Sequence, residues 1–339
     1  MRLASSPRLV LTAAILALGI GVLAQQGQPP RPLAAPQINF DQIQVQSIKV
    51  GEGNVYMLVG AGGNVTVQFG DDGVLVVDTQ FEPMADKLLA EIKRLAGDRT
   101  IRYVINTHVH GDHIGGNAKI KAAGQAIMTG NVQNDVGGDR AMGAQVLAHE
   151  NVLNRMSAPT GSTPPVPSSL WPTETFFTDT MDFTFNNEAV ELIHQPSAHT
   201  DGDVMVFFRK SDVIATGDVF VTTSYPVIDL ASGGSLNGIV AGLNHIIAIT
   251  VPHDKQEGGT IVVPGHGRVC DEADVVEYRD MVTIIRDRIQ QMIKTGMTLD
   301  QVKAAKPTRD YDGRYGATSG FWTTDQFVEA AYKSLSSKK

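Results

Sequence analysis

The sequence predicts an α+β fold in which sheets and helices pack as layers of a sandwich. In the first half, short apolar runs of strand length alternate with an amphipathic stretch of helical length. Later in the chain, further strand-length runs are followed by long helical patterns. The 339 residues are 42% hydrophobic and 19% charged, an ordinary composition for a chain with an ample core. We find no internal repeat and no sign of a second independent core.

The first half is predicted to hold four strands and one helix. Residues 54–59 and 64–69 have strand patterns, and a Gly-Asp-Asp-Gly turn follows them. Residues 74–78 form a continuous apolar run, as expected for a strand buried on both faces. Residues 83–97 are predicted to be helical, because one face carries Leu88, Leu89, Ile92 and Leu95. The fourth strand, residues 101–106, leads directly into a histidine-rich loop.

The second half is predicted to add strands and then helices. The strand patterns cover residues 190–193, 204–208, 213–216 and 261–263. Residues 273–295 and 324–335 show near-helical spacing of apolar side chains. Two long loops interrupt the pattern, a proline-rich one at residues 157–173 and a second at residues 222–238. Long loops in compact domains are often functional, and we expect the second to face a substrate.

The most informative motif follows the strand at residues 101–106. It places His108, His110, Asp112 and His113 within six positions. Imidazole nitrogens and carboxylate oxygens are ligands that Zn²⁺ prefers. Because residues two apart in an extended chain project to the same side, His108 and His110 can bind one ion. Gly111 can turn the chain, so that the next two ligands point to a second position.

The spacing His-x-His-x-Asp-His after a strand resembles the signature of the metallo-β-lactamase superfamily. Further motifs of the family occur downstream in the same order, around His199, Asp218 and His266. The resemblance spans roughly residues 54–267. It implies a four-layer αββα sandwich of the metallo-β-lactamase type and a metal-dependent hydrolase.

The resemblance also implies a ligand set for two metal ions. His108, His110 and His199 would hold the first zinc ion, and Asp112, His113 and His266 the second. Asp218 would bridge the pair. Two such ions share a water molecule, lower its pKa toward neutrality and supply a bridging hydroxide as the nucleophile, with Asp112 also serving catalysis. The same ligands accept Mn or Fe in place of Zn.

Other side chains are predicted to support this site. Tyr225, in the second long loop, and His194 are candidate substrate-binding residues, although a structural role for His194 is the stronger alternative. Asp201 and Asp78 are candidates for orienting a ligand imidazole through its other nitrogen. Cys270 is the only cysteine, which excludes an intramolecular disulfide, and we expect it to be a small buried residue.

Differences from known branches of the superfamily limit the range of substrates that we expect. The best-known zinc β-lactamases have a cysteine where Asp218 stands and a lysine shortly after it, which this sequence lacks. Lactonases are similar in their ligands but place a tyrosine nearer to the bridging aspartate than Tyr225. The basic thiol-binding tail of glyoxalase-type thioesterases is not found. We therefore expect hydrolysis of a small ester, lactone, thioester or cyclic amide, with weak β-lactamase activity at most.

Two readings from other classes remain open at this point. One is a mononuclear iron oxygenase of the persulfide dioxygenase type, which would use two histidines and the aspartate. The other is a non-catalytic metal-binding protein, such as a carrier. Flavin-dependent di-iron reductases are set aside, because that branch has glutamate where His110 stands here.

The ends and the charge of the chain predict its organisation and partners. Residues 1–24 resemble a secretory signal peptide, with an apolar stretch at 9–24 and cleavage near Ala24, which predicts a secreted or periplasmic protein. An uncleaved membrane anchor is the alternative. Residues 25–44 would form a flexible start, 45–270 the catalytic domain and 271–339 a helical extension packed on it.

The net charge of −8 without basic runs argues against nucleic acid as a partner, so we expect a small-molecule substrate and no membrane insertion after cleavage. The oligomeric state is left open.

Overall fold

The computed structural model describes residues 38–51, 53–127, 143–159, 164–255 and 258–337. The predicted signal peptide and most of the predicted flexible start lie outside these residues. Within them, twelve strands form two sheets, and helices lie on the outer face of each sheet. None of the described helices is both long enough and apolar enough to cross a bilayer.

The first sheet contains seven strands in sequence order. Strands β1 to β4 are antiparallel neighbours, whereas β4 to β7 run parallel to one another. Their bounds are Gln46–Val50 (β1), Val55–Val59 (β2), Val65–Gly70 (β3), Gly73–Val77 (β4), Ile101–Ile105 (β5), Gln145–His149 (β6) and Glu174–Phe176 (β7).

The second sheet contains five strands in the order β12-β11-β10-β9-β8. Its pairs are antiparallel except for β11 and β12, which run parallel. The bounds are Thr180–Phe185 (β8), Glu188–Gln195 (β9), Asp203–Phe208 (β10), Val213–Ala215 (β11) and Ile261–Val263 (β12).

The helices connect the strands and then close the fold at its C-terminal end. In the described residues they are Ala85–Ala96 (α1), Gly111–Ile114 (α2), Asn117–Ala122 (α3), Glu150–Ser157 (α4), Leu236–Ile249 (α5), Glu272–Lys294 (α6), Leu299–Ala305 (α7), Asp312–Tyr315 (α8) and Thr324–Ser336 (α9). Three of them begin with reciprocal capping hydrogen bonds, from Asp271, Thr298 and Thr323, which satisfy N–H groups that the first turn leaves free.

Alternation along the strands explains the layers. In β10, Val204, Val206 and Phe208 face the apolar cluster between the two sheets, whereas Met205 and Phe207 face the cluster that α5, α6 and α9 cover. Successive strand residues point to opposite faces, so a strand that is apolar throughout must be covered on both sides. On the first sheet, α1 and α3 cover the outer face in the same way. The predicted four-layer αββα sandwich is therefore confirmed.

The predicted elements recur with small shifts at their ends. The helix predicted at residues 83–97 is divided into a 3₁₀ turn at Glu82–Met84 and α1, which ends at Gly97 with a φ of 67°. Strands β1, β6, β7 and β8 and helices α2 to α5, α7 and α8 were not predicted. The proline-rich loop predicted at residues 157–173 begins at the end of α4 and contains a 3₁₀ turn at Ser168–Leu170.

The polar motifs meet at one edge of the sandwich. The loop of His108 to His113 follows β5, Asp218 follows β11 and His266 follows β12. Since β5 is parallel to β4, and β11 is parallel to β12, the carboxyl ends of these strands open at the same edge of their sheets. His199, on the turn between β9 and β10, completes the group.

Candidate metal centre

The first set of donor atoms comes from His108, His110 and His199, whose ligand atoms lie within 4.8 Å of one another. His110 Nδ1 is 2.8 Å from His199 Nε2. The other nitrogen of each ring is engaged elsewhere: His110 Nε2 with the Asp229 carboxylate and His199 Nδ1 with the Val227 carbonyl. If those nitrogens carry the protons, two lone pairs face each other. A cation between them removes that repulsion.

The second set comes from Asp112, His113 and His266, again within 4.8 Å. His266 Nε2 lies 3.2 Å from Asp112 Oδ2 and 3.4 Å from His113 Nε2. Donors bound to one tetrahedral zinc ion at about 2.0–2.1 Å stand a little over 3 Å apart. The spacing of this set therefore suits a single divalent ion.

Asp218 lies between the two sets. Its Oδ2 is 3.9 Å from His108 Nε2 and 3.7 Å from His199 Nε2, whereas its Oδ1 is 3.3 Å from His113 Nε2 and 3.5 Å from His266 Nε2. One oxygen thus faces each set. This is the geometry expected of a carboxylate that links two ions.

Two buried polar atoms at the centre of this cluster, His108 Nε2 and Asp218 Oδ1, have no hydrogen-bond partner among the described residues. Burying unsatisfied polar atoms is costly, and metal coordination is one of the ways to compensate them. The orphaned atoms, the facing lone pairs and the nitrogen and oxygen donors together fit divalent metal ions.

Supporting contacts orient four of the five ligand imidazoles through their second nitrogen. Asp78 accepts from His113 Nδ1 at 2.7 Å, and it also accepts from the backbone N–H and the hydroxyl of Thr107. The Thr107 hydroxyl in turn contacts His108 Nδ1 at 3.0 Å. The predicted supporting role of Asp78 is confirmed. Its φ of 64° is unusual for a residue with a side chain, and it turns the carboxylate at the end of β4 toward the loop.

Charge divides the cluster into two electrostatic environments. Burial by itself would lower the pKa of His113, but Asp218 and Asp78 raise it well above its ordinary value. Burial likewise opposes the shift at His266, where Asp218 and Asp112 raise the pKa to about 9. In the metal-free chain these two rings therefore tend to hold protons, which incoming metal ions must displace.

In the first donor set, the pKa values of two histidines are lowered instead of raised. Burial, reinforced by the neighbouring His110, lowers the pKa of His199 to about 4. Burial and the neighbouring His113 hold the pKa of His108 well below its ordinary value. These two rings are neutral near pH 7 and ready to bind a metal ion.

Asp229 is a supporting residue that sequence reasoning missed. It lies in the long loop after β11, and its Oδ2 is 2.9 Å from His110 Nε2. Its Oδ1 accepts hydrogen bonds from the N–H groups of Ala231 and Ser232. Burial alone would raise the pKa of Asp229, but hydrogen bonds from His110 and Ser232 lower it strongly. No local motif marks this residue, because its partner lies 119 positions away.

Tyr225 does not lie where the sequence analysis placed it. Only 1% of the side chain is exposed, and the ring stacks on Phe327 with centroids 4.7 Å apart. Its hydroxyl donates to the Asp312 carboxylate or the Thr308 carbonyl, at 2.9 and 3.1 Å. The long loop after β11 turns toward the protein interior at Tyr225, because the ring packs within the apolar cluster that includes Phe327. The Tyr225 side chain therefore lies in the apolar cluster and not among the residues that line the cavity, so the structure does not support its predicted substrate-binding role.

His194 and Asp201 also lie apart from the ligand cluster. The His194 ring stacks on His149 at 3.6 Å, and its Nε2 contacts the Asp201 carbonyl. The Asp201 carboxylate pairs with Arg155 at 2.6 Å and touches none of the ligand imidazoles. The structural interpretation of His194 is favoured, and the prediction that Asp201 orients a ligand is wrong. Cys270 is a buried free thiol, as predicted.

A cavity of about 610 Å³ opens directly above the cluster. Its floor is polar and includes His110, Asp112, His199, Asp218 and His266. Its walls are mainly apolar and include Phe81, Val221, Val227, Phe321 and Trp322. Small-molecule sites have volumes of roughly 300–1,000 Å³, so the cavity is of a size that can hold a substrate. The aromatic wall was not predicted, because Phe321 and Trp322 are distant in sequence from every metal motif.

The fold and the His/Asp cluster together define the class of metal-dependent hydrolases built on an αββα sandwich. A family model described as the metallo-beta-lactamase superfamily matches residues 58–266. The match covers more than half of the chain, and the chain belongs to this superfamily.

Curated relatives match at low identity. A linear primary-alkylsulfatase from Pseudomonas sp. (strain ATCC 19151) is 24% identical over 274 residues, which cover 68% of this chain and 47% of the relative. A metallo-beta-lactamase type 2 from Bacillus cereus is 21% identical over 211 residues, covering 62% of this chain and 69% of the relative. These relatives are hydrolases. The chain spans about half the length of the alkylsulfatase that it matches.

Among solved structures, the chain is similar to the stereoselective inverting sec-alkylsulfatase Pisa1 from Pseudomonas sp. The TM-score is 0.60 at 14% identity, and the match covers 85% of this chain and 50% of the other. A double mutant of the same sulfatase matches to the same extent. At this identity the similarity establishes a shared fold.

Proposed function

We propose that the protein is a dinuclear zinc hydrolase of small esters, lactones, thioesters or cyclic amides. The observation that carries this proposal is the position of Asp218, with one carboxylate oxygen toward each of two complete donor sets. Two divalent ions held there would supply a nucleophile from water near pH 7 and stabilise the negative charge that develops on the substrate.

The protein's own residues prepare this chemistry. The contacts from Asp78, Thr107, Asp229 and the Val227 carbonyl hold the imidazoles in orientation, which reduces the reorganisation needed during reaction. Asp112 is one-quarter exposed on the cavity floor, where it can accept a proton from an attacking water molecule. Asp112 therefore has two roles in the proposal, as a ligand and as a base.

The cavity lining supports an uncharged substrate. None of the described residues that line it is a lysine or arginine. Arg155, on α4, is paired with Asp201 instead. A substrate carboxylate away from the reacting centre would lose its hydration without gaining a partner, which is costly. This argues against efficient β-lactam hydrolysis and favours neutral esters and lactones.

A second candidate activity is hydrolysis of alkyl sulfate esters. The observation that favours it is the match, in both sequence and structure, to proteins named as alkylsulfatases. A sulfate group could be held at the metal ions while the alkyl chain lies against the apolar walls of the cavity. A substrate panel that includes decyl sulfate beside neutral esters distinguishes the two activities.

Replacing Asp112 with alanine tests the proposal. We expect turnover of every substrate in the panel to be nearly abolished and the metal content to fall from two ions per chain toward one, because the second donor set loses its carboxylate. Elemental analysis and steady-state rates on the same preparation measure both effects. Asp98→Ala is the matched control, since this aspartate is exposed and does not line the cavity.

An Asp112→Ala variant that keeps full activity with two ions would contradict the dinuclear model. A wild-type chain with one iron ion and no hydrolysis would favour the iron oxygenase alternative. Two zinc ions without turnover of any ester, lactone, thioester, cyclic amide or alkyl sulfate would favour the non-catalytic alternative.

We also propose that the protein is exported after cleavage near Ala24. The support is the pattern of the N-terminal sequence, since residues 1–37 lie outside the described part of the chain. Mass spectrometry of the protein from its native host tests this directly. A mature N-terminus at Gln25 is the expected result, and an intact leader would favour the membrane anchor.

A further inference from the structure

The loop between α8 and α9 brings an exposed aromatic side chain to the mouth of the cavity. Phe321 is 85% exposed, and yet it lines the same cavity as the ligands on the floor. Its neighbour Trp322 is partly buried against the apolar cluster beneath the second sheet, so one side of the loop is anchored. The exposed ring is continuous with the apolar lining of the cavity, so a bound apolar group could cover both.

The loop is closed at its base rather than free. Ala317 donates its N–H to the Thr324 hydroxyl at 3.1 Å, and Thr324 donates its N–H to the Ala317 carbonyl at 2.9 Å. Gly320, with a φ of +104°, gives the turn just before Phe321 a backbone conformation that other residues rarely adopt. The position of Phe321 is therefore held by the loop geometry.

Besides Phe321 and Trp322, other apolar side chains line the cavity. Phe81 follows β4, and Val221 and Val227 belong to the loop after β11. Three separate segments of the chain thus contribute apolar side chains above the metal ligands. A substrate with its reacting group on the floor would have its remaining part in contact with these walls.

We propose that Phe321 and Trp322 form a subsite for an apolar chain, and that the natural substrate is an uncharged ester or lactone bearing such a chain. This rests on the proposed hydrolase function. The occupant is the substrate, rather than another protein surface, because the apolar walls lead directly to the ligand cluster. Phe321 acts as a specificity-determining residue, and it has no part in metal binding.

The dependence of the rate on chain length tests the subsite. With p-nitrophenyl esters from acetate to decanoate, we expect kcat/KM of the wild type to rise about two- to fourfold per methylene, which corresponds to transfer of each methylene out of water, until the cavity is filled. Phe321→Ala should flatten this profile mainly through KM and leave metal content unchanged. Phe177→Ala is the matched control, because this residue is 76% exposed and does not line the cavity.

A binding measurement separates this inference from the proposed activity. The sequence has two tryptophans, so Trp171→Phe leaves Trp322 as the only tryptophan reporter. Titration of this variant, as purified with its bound metal, with 1-octanol should give a saturable change in fluorescence that is lost when Phe321→Ala is added. This result would support the subsite even if no ester were hydrolysed.

Three outcomes would overturn the subsite. The first is a kcat/KM that does not change with ester chain length in an active wild type. The second is an equal loss of kcat/KM in Phe321→Ala and Phe177→Ala, and the third is no saturable binding of octanol. A Phe321→Ala variant that changes the oligomeric state without changing octanol binding would show that a second copy of the chain covers Phe321 instead.

Discussion

At the scale of single residues, small side chains make the centre possible. Gly265, just before the ligand His266, lies so close to Asp218 that a Cβ atom would overlap the carboxylate oxygen Oδ1. Gly63, on the turn between β2 and β3, approaches the His113 ring in the same way. Neither glycine has a left-handed backbone, so the need for glycine here is one of space.

Gly265→Ala should therefore weaken metal binding. The new methyl group would push Asp218 away from its central position, and we expect the zinc affinity to fall roughly 10- to 100-fold, as for changes around other metal ligands. Competition with a chromogenic chelator measures this affinity. Gly313→Ala is the control, since a Cβ atom there meets nothing within 4 Å. An unchanged zinc affinity in Gly265→Ala would contradict the position of Asp218 between the two donor sets.

At the scale of elements, the long loop after β11 supports the centre from a distance. It supplies the Asp229 carboxylate to His110 and the Val227 carbonyl to His199. The loop is itself held by hydrogen bonds to the turn before β10, from Asp229 N–H to the His199 carbonyl and from Asp201 N–H to the Ser232 carbonyl. The loop was expected to face a substrate, and Thr223, Ser224 and Val227 do line the cavity. Its contact to His110 through Asp229 was not predicted, and Tyr225 points away from the cavity.

Substitutions of Asp229 test this support. Asp229→Ala removes the acceptor for His110 and should lower the affinity of the first metal ion about 10- to 100-fold. Asp229→Asn is the matched variant, because its amide oxygen can still accept from Ala231 and Ser232 while the negative charge beside His110 is lost. We expect zinc titrations to show a smaller loss of zinc affinity in Asp229→Asn than in Asp229→Ala. Equal zinc affinities in the wild type, Asp229→Ala and Asp229→Asn would show that the contact between Asp229 and His110 does not contribute to metal binding.

At the scale of the whole molecule, the C-terminal helices form one packed body with the second sheet. Val275, Tyr278, Met281 and Ile285 of α6 belong to the same apolar cluster as Leu243 of α5 and Phe327 of α9. Tyr225, from the loop after β11, enters this cluster and contacts both Thr308 and Asp312. The C-terminal helices thereby carry the aromatic wall of the cavity.

Tyr225→Phe should lower the stability of the whole fold while the metal content stays the same. Loss of a buried hydroxyl that donates its proton to the Asp312 carboxylate or the Thr308 carbonyl costs about 1–2 kcal/mol in the free energy of unfolding. Denaturant titration of the metal-free protein measures it. Tyr103→Phe is the control, because the Tyr103 hydroxyl makes no hydrogen bond in the described residues. A larger effect on substrate preference than on stability would restore the original interpretation of Tyr225.

The local pattern of residues was sufficient for eight of the twelve described strands and for the candidate ligands of the short motif. The four-layer arrangement and the ligand roles of His199, Asp218 and His266 were implied by the resemblance to the family. Alternation and apolar runs follow from the geometry of strands and helices, and the His-x-His-x-Asp-His spacing lies within six consecutive positions. The contacts of Asp229, Tyr225 and Phe321 were decided by tertiary structure alone. Their partners are tens to more than a hundred positions away, and only the packing of the two sheets and the C-terminal helices brings them together.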